Sequence, residues 1–320
     1  MLGDSSAEIA LGASTHELVV RFLSALDLGG RPRLVTTDGE FHTLRRQLGR
    51  LRGAGLDVVT TAARPVDTLA ERLADRVDRS TAAVLVSAVM FEDARIVPNL
   101  AGLASACRRV DAELLVDVYH ALGVLPFRLD DRGLDSAWVV GGGYKYLQLG
   151  EGNCFLRVPP HAYESRPVIT GWFAEFGALQ DPHEGEIVYP RGAAAFAGST
   201  YDPTSHYRAA RVFDFFEVQG LSPEHLRASY LHQLEILTSG FDALGVPEDV
   251  ATRDRDTPLD SFGGFLALES PHADRLQAGL EKRGVFTDSR GRHLRLGPAP
   301  YLDDSQLERT LEVLSEVTMR

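Results

Sequence analysis

Five short β-rich segments constrain the fold more than anything else in the chain: PRLVTT (32–37), LDVVTT (56–61), AAVLVSA (82–88), ELLVDV (113–118) and SAWVVG (136–141). Their apolar runs are near-continuous rather than alternating, the pattern of strands covered on both faces. Helix-like stretches at 14–27, 41–54, 66–77 and 98–110 precede the first strand or lie between later ones. This order predicts an α/β fold with a mostly parallel central sheet and helical crossovers. In such sheets ligand chemistry gathers at the carboxyl ends of the strands.

A seam follows. Residues 160–204, with DPHEGE, YPRG and GSTYDP, are dense in turn formers and read as a long connection with short embedded elements. Beyond it come helical runs at 205–219 and 222–238, the strand-like GGFLALES (263–270), and helices near 271–282 and 303–317. The expected division is a large α/β domain with its connecting segment over 1–204 and a small α+β domain over 205–320.

Composition limits the partners. Lys plus Arg total 33 against 45 Asp plus Glu, and the net charge of -12 argues against a nucleic-acid or anionic-membrane surface. Cys107 and Cys154 are the only cysteines, which gives neither a disulfide framework nor a metal cluster, so no metal site is expected. The start MLGDSSAEIALGAST lacks the basic-then-apolar order of a signal peptide, and no window has the length and apolarity of a membrane span. The expected location is cytoplasmic.

Within GGGYKYLQLGEGNCF (141–155), Lys145 stands between Tyr144 and Tyr146 and between glycine-rich runs, directly after a buried strand. A lysine amine beside aromatic rings and away from bulk water can become a Schiff-base nucleophile. Asp117 ends the apolar strand ELLVD, where a carboxylate either binds a ligand or caps the next turn, and His120 follows three residues later. Together the three suit pyridoxal 5'-phosphate (PLP): a lysine for its aldehyde, an imidazole beside it, and a carboxylate that keeps the pyridine nitrogen protonated. In GASTHEL (12–18), Ser14 and Glu17 have capping-box spacing, and Ser14 and Thr15 at a helix start would suit a phosphate.

DVYHALG, then GGGYKYLQLGEG, then GWFAEF (171–176) resemble kynureninase within the fold-type I, class V aminotransferase superfamily of PLP-dependent enzymes. The resemblance implies PLP as cofactor and a fold-type I architecture. It puts Lys145 on the Schiff-base lysine, Asp117 on the pyridinium partner, His120 on the cofactor-side histidine, and Tyr144 on the tyrosine that contacts phosphate and relays protons. Lys145, Tyr144 and Asp117 are thus the implied catalytic residues. Phe41 in DGEFHTL resembles the aromatic stacked on the ring, and Thr15 the phosphate-side threonine. Trp172 and Thr200 fall on the wall shared by cofactor and substrate, and Arg295 in HLRLGPAP falls where the family holds the substrate α-carboxylate. Three departures stand out. The family's longer N-terminal portion is absent before ALGAST, Thr200 replaces an Asn, and Leu44 replaces an Asp.

The implied function is kynureninase-like Cβ–Cγ hydrolysis of an amino acid. Transamination and β-eliminating C–S cleavage use the same Lys–Asp pair, and a non-catalytic scaffold relative would keep the fold alone. A homodimer is implied by the family, and the short N-terminus raises a separate chain that completes the pocket.

Overall fold

The computed structural model describes residues 1–4, 8–180, 185 and 187–318, so all of DPHEGE except Gly185 lies outside the described residues. The chain forms two units. One comprises 1–88, 97–122 and 127–219; the other comprises 89–96, 123–126 and 220–320. The helix over 204–218 therefore belongs to the larger unit, and its boundary falls at 219/220 where the sequence pointed to 204/205.

In the larger unit, seven strands run in the order β1-β7-β6-β5-β4-β2-β3. β2 (Arg33–Thr37), β3 (Asp57–Thr61), β4 (Thr81–Ser87), β5 (Glu113–Asp117) and β6 (Trp138–Gly142) are the five anticipated strands, and they pair in parallel. Every residue of β4 is buried, as a strand with cover on both faces requires. β1 (Glu8–Gly12) and β7 (Cys154–Val158) add an antiparallel edge beside β6.

Helix α1 (Thr15–Ser24) buries Leu18, Val19, Phe22 and Leu23, one apolar stripe of an amphipathic helix. Phe22 meets Trp138 edge-on at 5.2 Å, and Trp138 meets Phe196 at 5.1 Å. The Trp138 indole is satisfied by donating to Glu113 at 2.8 Å. Helices α2 (His42–Gly53), α3 (Leu69–Ala74) and α4 (Leu100–Arg108) link successive parallel strands. Among its described residues the long connection holds short 3-10 turns at 160–162, 172–178 and 192–196, and it leads into α5 (Thr204–Val218).

β2 leads outward to β3, and the chain then returns on the other side of β2 to form β4. The reversal makes the carboxyl ends of β2 and β4 a topological switch point, where open α/β sheets bind ligands.

The smaller unit packs α6 (Pro223–Ala243), α7 (Ala273–Glu281) and α8 (Asp304–Thr318) with the antiparallel sheet β8 (Leu266–Glu269), β10 (His293–Leu296), β9 (Asp288–Arg290). Its core includes Leu234, Leu237, Phe241, Leu268, Leu294 and Leu314.

Candidate active site

β5 ends on Asp117, whose Oδ1 accepts a 2.8 Å hydrogen bond from the Tyr119 backbone N–H. This tight turn brings the Tyr119 ring and the buried His120 imidazole to the end of the sheet. Next door, β6 ends at Gly142 and runs on through Gly143 to Lys145. A Cβ on Gly142 would lie 2.7 Å from both Cys154 Sγ and the Tyr119 ring, so glycine alone permits this approach. The loop beyond is closed by the Leu149 N–H donating to the Gly143 carbonyl at 2.8 Å.

The Lys145 amine is closely surrounded. Its Nζ lies 2.5 Å from His120 Nε2, 5.4 Å from the centre of the Phe41 ring and 5.1 Å from that of Tyr119. With Nζ donating to Nε2, His120 carries its own proton on Nδ1, which is 3.4 Å from the Tyr146 hydroxyl. The Tyr146 ring meets the imidazole edge-on at 5.8 Å.

Phe41 is set by the turn that joins β2 to α2. On one side of that turn, Asp38 accepts from the Ala63 N–H at 2.7 Å. On the other, Glu40 accepts from the Thr37 hydroxyl at 2.9 Å and from the Ser87 hydroxyl at 2.6 Å.

The electrostatics follow from burial. Loss of water pushes the Glu40 carboxyl up to about 7, and the donors from Ser87 and Thr37 only partly offset it. Asp117 rises to about 6 for the same reason, held back by the Tyr119 N–H and the Lys145 charge. Burial also raises the Tyr119 phenol, and takes Cys154 up to about 11 and Cys107 to about 12.

Lys145, Asp117, His120 and Phe41 are thus brought together as their motifs anticipated. Ser14 caps α1, accepting from the Glu17 N–H at 3.3 Å, and Thr15 opens the helix. The Thr15 backbone N–H and the Tyr119 side chain both act on the Cys154 thiol, drawing it down against the effect of burial, so the helix start joins the same cluster. Tyr144 is exposed, and its backbone draws the Tyr119 phenol down against the effect of burial.

Trp172 packs on Phe173 at 4.4 Å and Phe176 at 5.4 Å. The Phe173 N–H donates to the Gly198 carbonyl at 3.1 Å, drawing the Gly-Trp-Phe segment to the one that carries exposed Thr200. Arg295 lies on β10 in the smaller unit, where its guanidinium donates to Asp288 and to the Phe91 carbonyl.

Two residues of this cluster escaped the sequence reading. Glu40 and Tyr119 each stand beside a residue that was singled out, Phe41 and His120, but their partners come from other strands. A further signal lay in composition: of 33 basic residues only Lys145 and Lys282 are lysines.

No family model matches the chain. Over its full length it is 22% identical to the uncharacterized aminotransferase YcbU of Bacillus subtilis, covering 81% of that protein. It is 25% identical to kynureninase 1 of Chaetomium globosum over 94% of this chain and 67% of the other. A 111-residue stretch, 35% of the chain, is 39% identical to 8-amino-7-oxononanoate synthase of Mycobacterium avium but spans only 27% of that enzyme. Among solved structures, the apo cysteine desulfurase of Thermococcus onnurineus superposes with a TM-score of 0.81 at 17% identity, over 99% of this chain and 81% of that one. The cystine C–S lyase C-DES, in complex with its product cysteine persulfide, gives 0.80 at 18% identity, over 97% and 81%. The fold is that of the fold-type I PLP-dependent enzymes. Among the described residues no helix is long and apolar enough to cross a membrane.

Proposed function

We propose that this protein is a PLP-dependent enzyme acting on an amino acid, with Lys145 as the residue that carries the cofactor. The observation behind this is the Lys145 amine, 2.5 Å from His120 and between two aromatic rings, with Asp117 ending the adjacent strand. The donor set suits the group. There is an amine for the aldehyde, an aromatic face for the ring, a strand-end carboxylate for the pyridine nitrogen, and a capped helix start at Ser14 and Thr15 for the phosphate.

When bound, PLP supplies an electron sink for the pair left as Cα loses its proton. Lys145 Nζ is the base for that proton, and His120 Nε2 holds the amine in place. Asp117 supplies the negative charge that favours a protonated ring nitrogen. Tyr144 is the proposed proton relay and phosphate contact. Trp172 and Thr200 are proposed for the cofactor and substrate wall, and Arg295 for the substrate carboxylate.

Among reactions open to this machinery, β-elimination with C–S cleavage has more support than kynureninase-type hydrolysis. A cysteine desulfurase and a cystine C–S lyase share the fold over nearly the whole chain. Both cysteines here are buried, with thiols held protonated by their surroundings, so neither is a ready acceptor for sulfur. Elimination that releases the sulfur fragment directly needs no such acceptor. Kynurenine cleavage is the second reading, favoured by the kynureninase relative that aligns with 94% of the chain.

The test begins with the absorption spectrum of purified protein mixed with PLP. A visible band that borohydride fixes covalently to Lys145, and that Lys145→Ala lacks, is expected; with only one other lysine in the chain, peptide mapping is unambiguous. Cystine should then give pyruvate, ammonia and cysteine persulfide as the released sulfur fragment, whereas alanine and an aromatic acid from kynurenine would select the second reading. A wild-type protein that takes up no PLP would overturn both and leave the scaffold reading.

A further inference from the structure

At the switch point of the sheet lies a buried carboxyl that the proposed chemistry leaves unused. Glu40 is 1% exposed. Its Oε1 accepts from the Thr37 hydroxyl at 2.9 Å and from the Ser87 backbone N–H at 3.2 Å, and its Oε2 lies 2.6 Å from the Ser87 hydroxyl, from which it accepts when ionised and to which it donates when neutral. These donors belong to the ends of β2 and β4, the strands between which the chain order reverses. Glu40 is therefore tied across the point where a ligand is expected.

Its surroundings decide its charge. All three donors are neutral, and a buried carboxyl without a cation of its own is costly to ionise. Ser87 is the register partner of Asp117 on β5, and the Asp117 charge acts on Glu40 in the same upward direction as burial. Glu40 is faced by Thr37 from β2, Ser87 from β4 and Asp117 from β5, and Asp117 in turn by the Tyr119 N–H and by Lys145 beyond β6. Lys145 lowers Asp117, so the cation favours ionisation of Asp117. Two adjacent carboxyls and one nearby cation are best satisfied when a single carboxyl is charged.

We propose that Glu40 is a positioning residue of the cofactor site: seated as a neutral acid across the ends of β2 and β4, it leaves Asp117 as the one carboxylate there and fixes the turn that presents Phe41 to Lys145. The inference rests on the PLP reading. Glu40 touches none of the reacting atoms; it acts through Ser87, Asp117 and the backbone of its neighbour Phe41. Once Glu40 loses its proton, a second negative charge enters the strand ends and the proton affinity of the site rises. The absorption of bound PLP should register that step.

The test is a pH titration of the visible spectrum of PLP-loaded protein for wild type, Glu40→Gln and Ser87→Ala. Wild type should show a transition that Glu40→Gln lacks while still holding PLP. Ser87→Ala, which removes a donor to the ionised carboxyl, should move that transition to higher pH by roughly half a unit to one unit. A purely structural role would weaken PLP uptake in the variants without moving the transition. The same transition in Glu40→Gln, no transition in wild type, or no upward shift in Ser87→Ala would each overturn the proposal. If Glu40→Gln does not fold, the Ser87→Ala shift decides alone. Wild type that takes up no PLP refutes the cofactor reading itself, a result distinct from PLP uptake without the shift.

Discussion

Gly142 has Cys154 Sγ and the Tyr119 ring where a Cβ would go. Gly142→Ala must push one of them away, at a cost of about 1–3 kcal/mol for overpacking, and should weaken PLP uptake by disturbing the Lys145 loop. Denaturant unfolding and a PLP titration check the two effects separately. The buried acids make a second prediction. In the folded protein Glu40 holds its proton up to about 7, against 4.5 ordinarily. Between those values the folded state binds the proton that the unfolded chain releases. The associated stability is thus present in full below the ordinary value and is lost as pH rises through the folded one. Glu40→Gln should remove this loss, so its stability relative to wild type should grow with pH by on the order of 3 kcal/mol across the window. Unfolding free energies at several pH values measure it, and parallel pH curves for the two proteins would refute it. Lys145, Asp117 and His120 were legible because each motif is contiguous and its residue types imply one another's chemistry. Glu40 was not, because its meaning depends on strand register that joins residues 37, 87 and 117.

At the level of elements, the five parallel strands were legible from apolar runs, but β1 and β7 were not. EIALG buries only Ala10 and Gly12, and CFLRV is an antiparallel return that strand–helix–strand order does not imply. α6 also runs to Ala243, past the anticipated end near 238, through Gly240. A Cβ on Gly240 would collide with the Leu311 side chain of α8, so the glycine serves close helix packing rather than a helix stop. The start of α1 offers a test. Ser14→Ala removes the hydroxyl that caps the Glu17 N–H and should cost about 1 kcal/mol in unfolding free energy. If that hydroxyl also binds phosphate, PLP affinity will fall while affinity for pyridoxal, which lacks the phosphate, will not.

At the scale of the whole molecule, the smaller unit is not one continuous stretch of chain. Residues 89–96 belong to it, and they are bonded to its later part: Ile96 donates to the Ser261 carbonyl at 2.9 Å, Gly263 to the Ala94 carbonyl at 2.7 Å, and Arg95 to Asp254 at 2.9 Å. A fragment covering only 220–320 loses these partners. At roughly 1 kcal/mol per hydrogen bond it should be less stable than a version with residues 89–96 linked back, by a few kcal/mol. Thermal melts followed by circular dichroism compare the two, and equal midpoints would show that the segment adds nothing. The boundary read from the sequence, at 204/205, could not foresee this, because such a swap of short segments leaves no compositional mark. The antiparallel edge has its own consequence, one for the chain as it is made. β1 leaves the ribosome well before its partner β7, which is encoded far downstream of it. At ordinary elongation rates the nascent strand waits on the order of ten seconds for that partner, with its backbone edge unpaired and Ala10 uncovered, an interval in which chaperones have access to it.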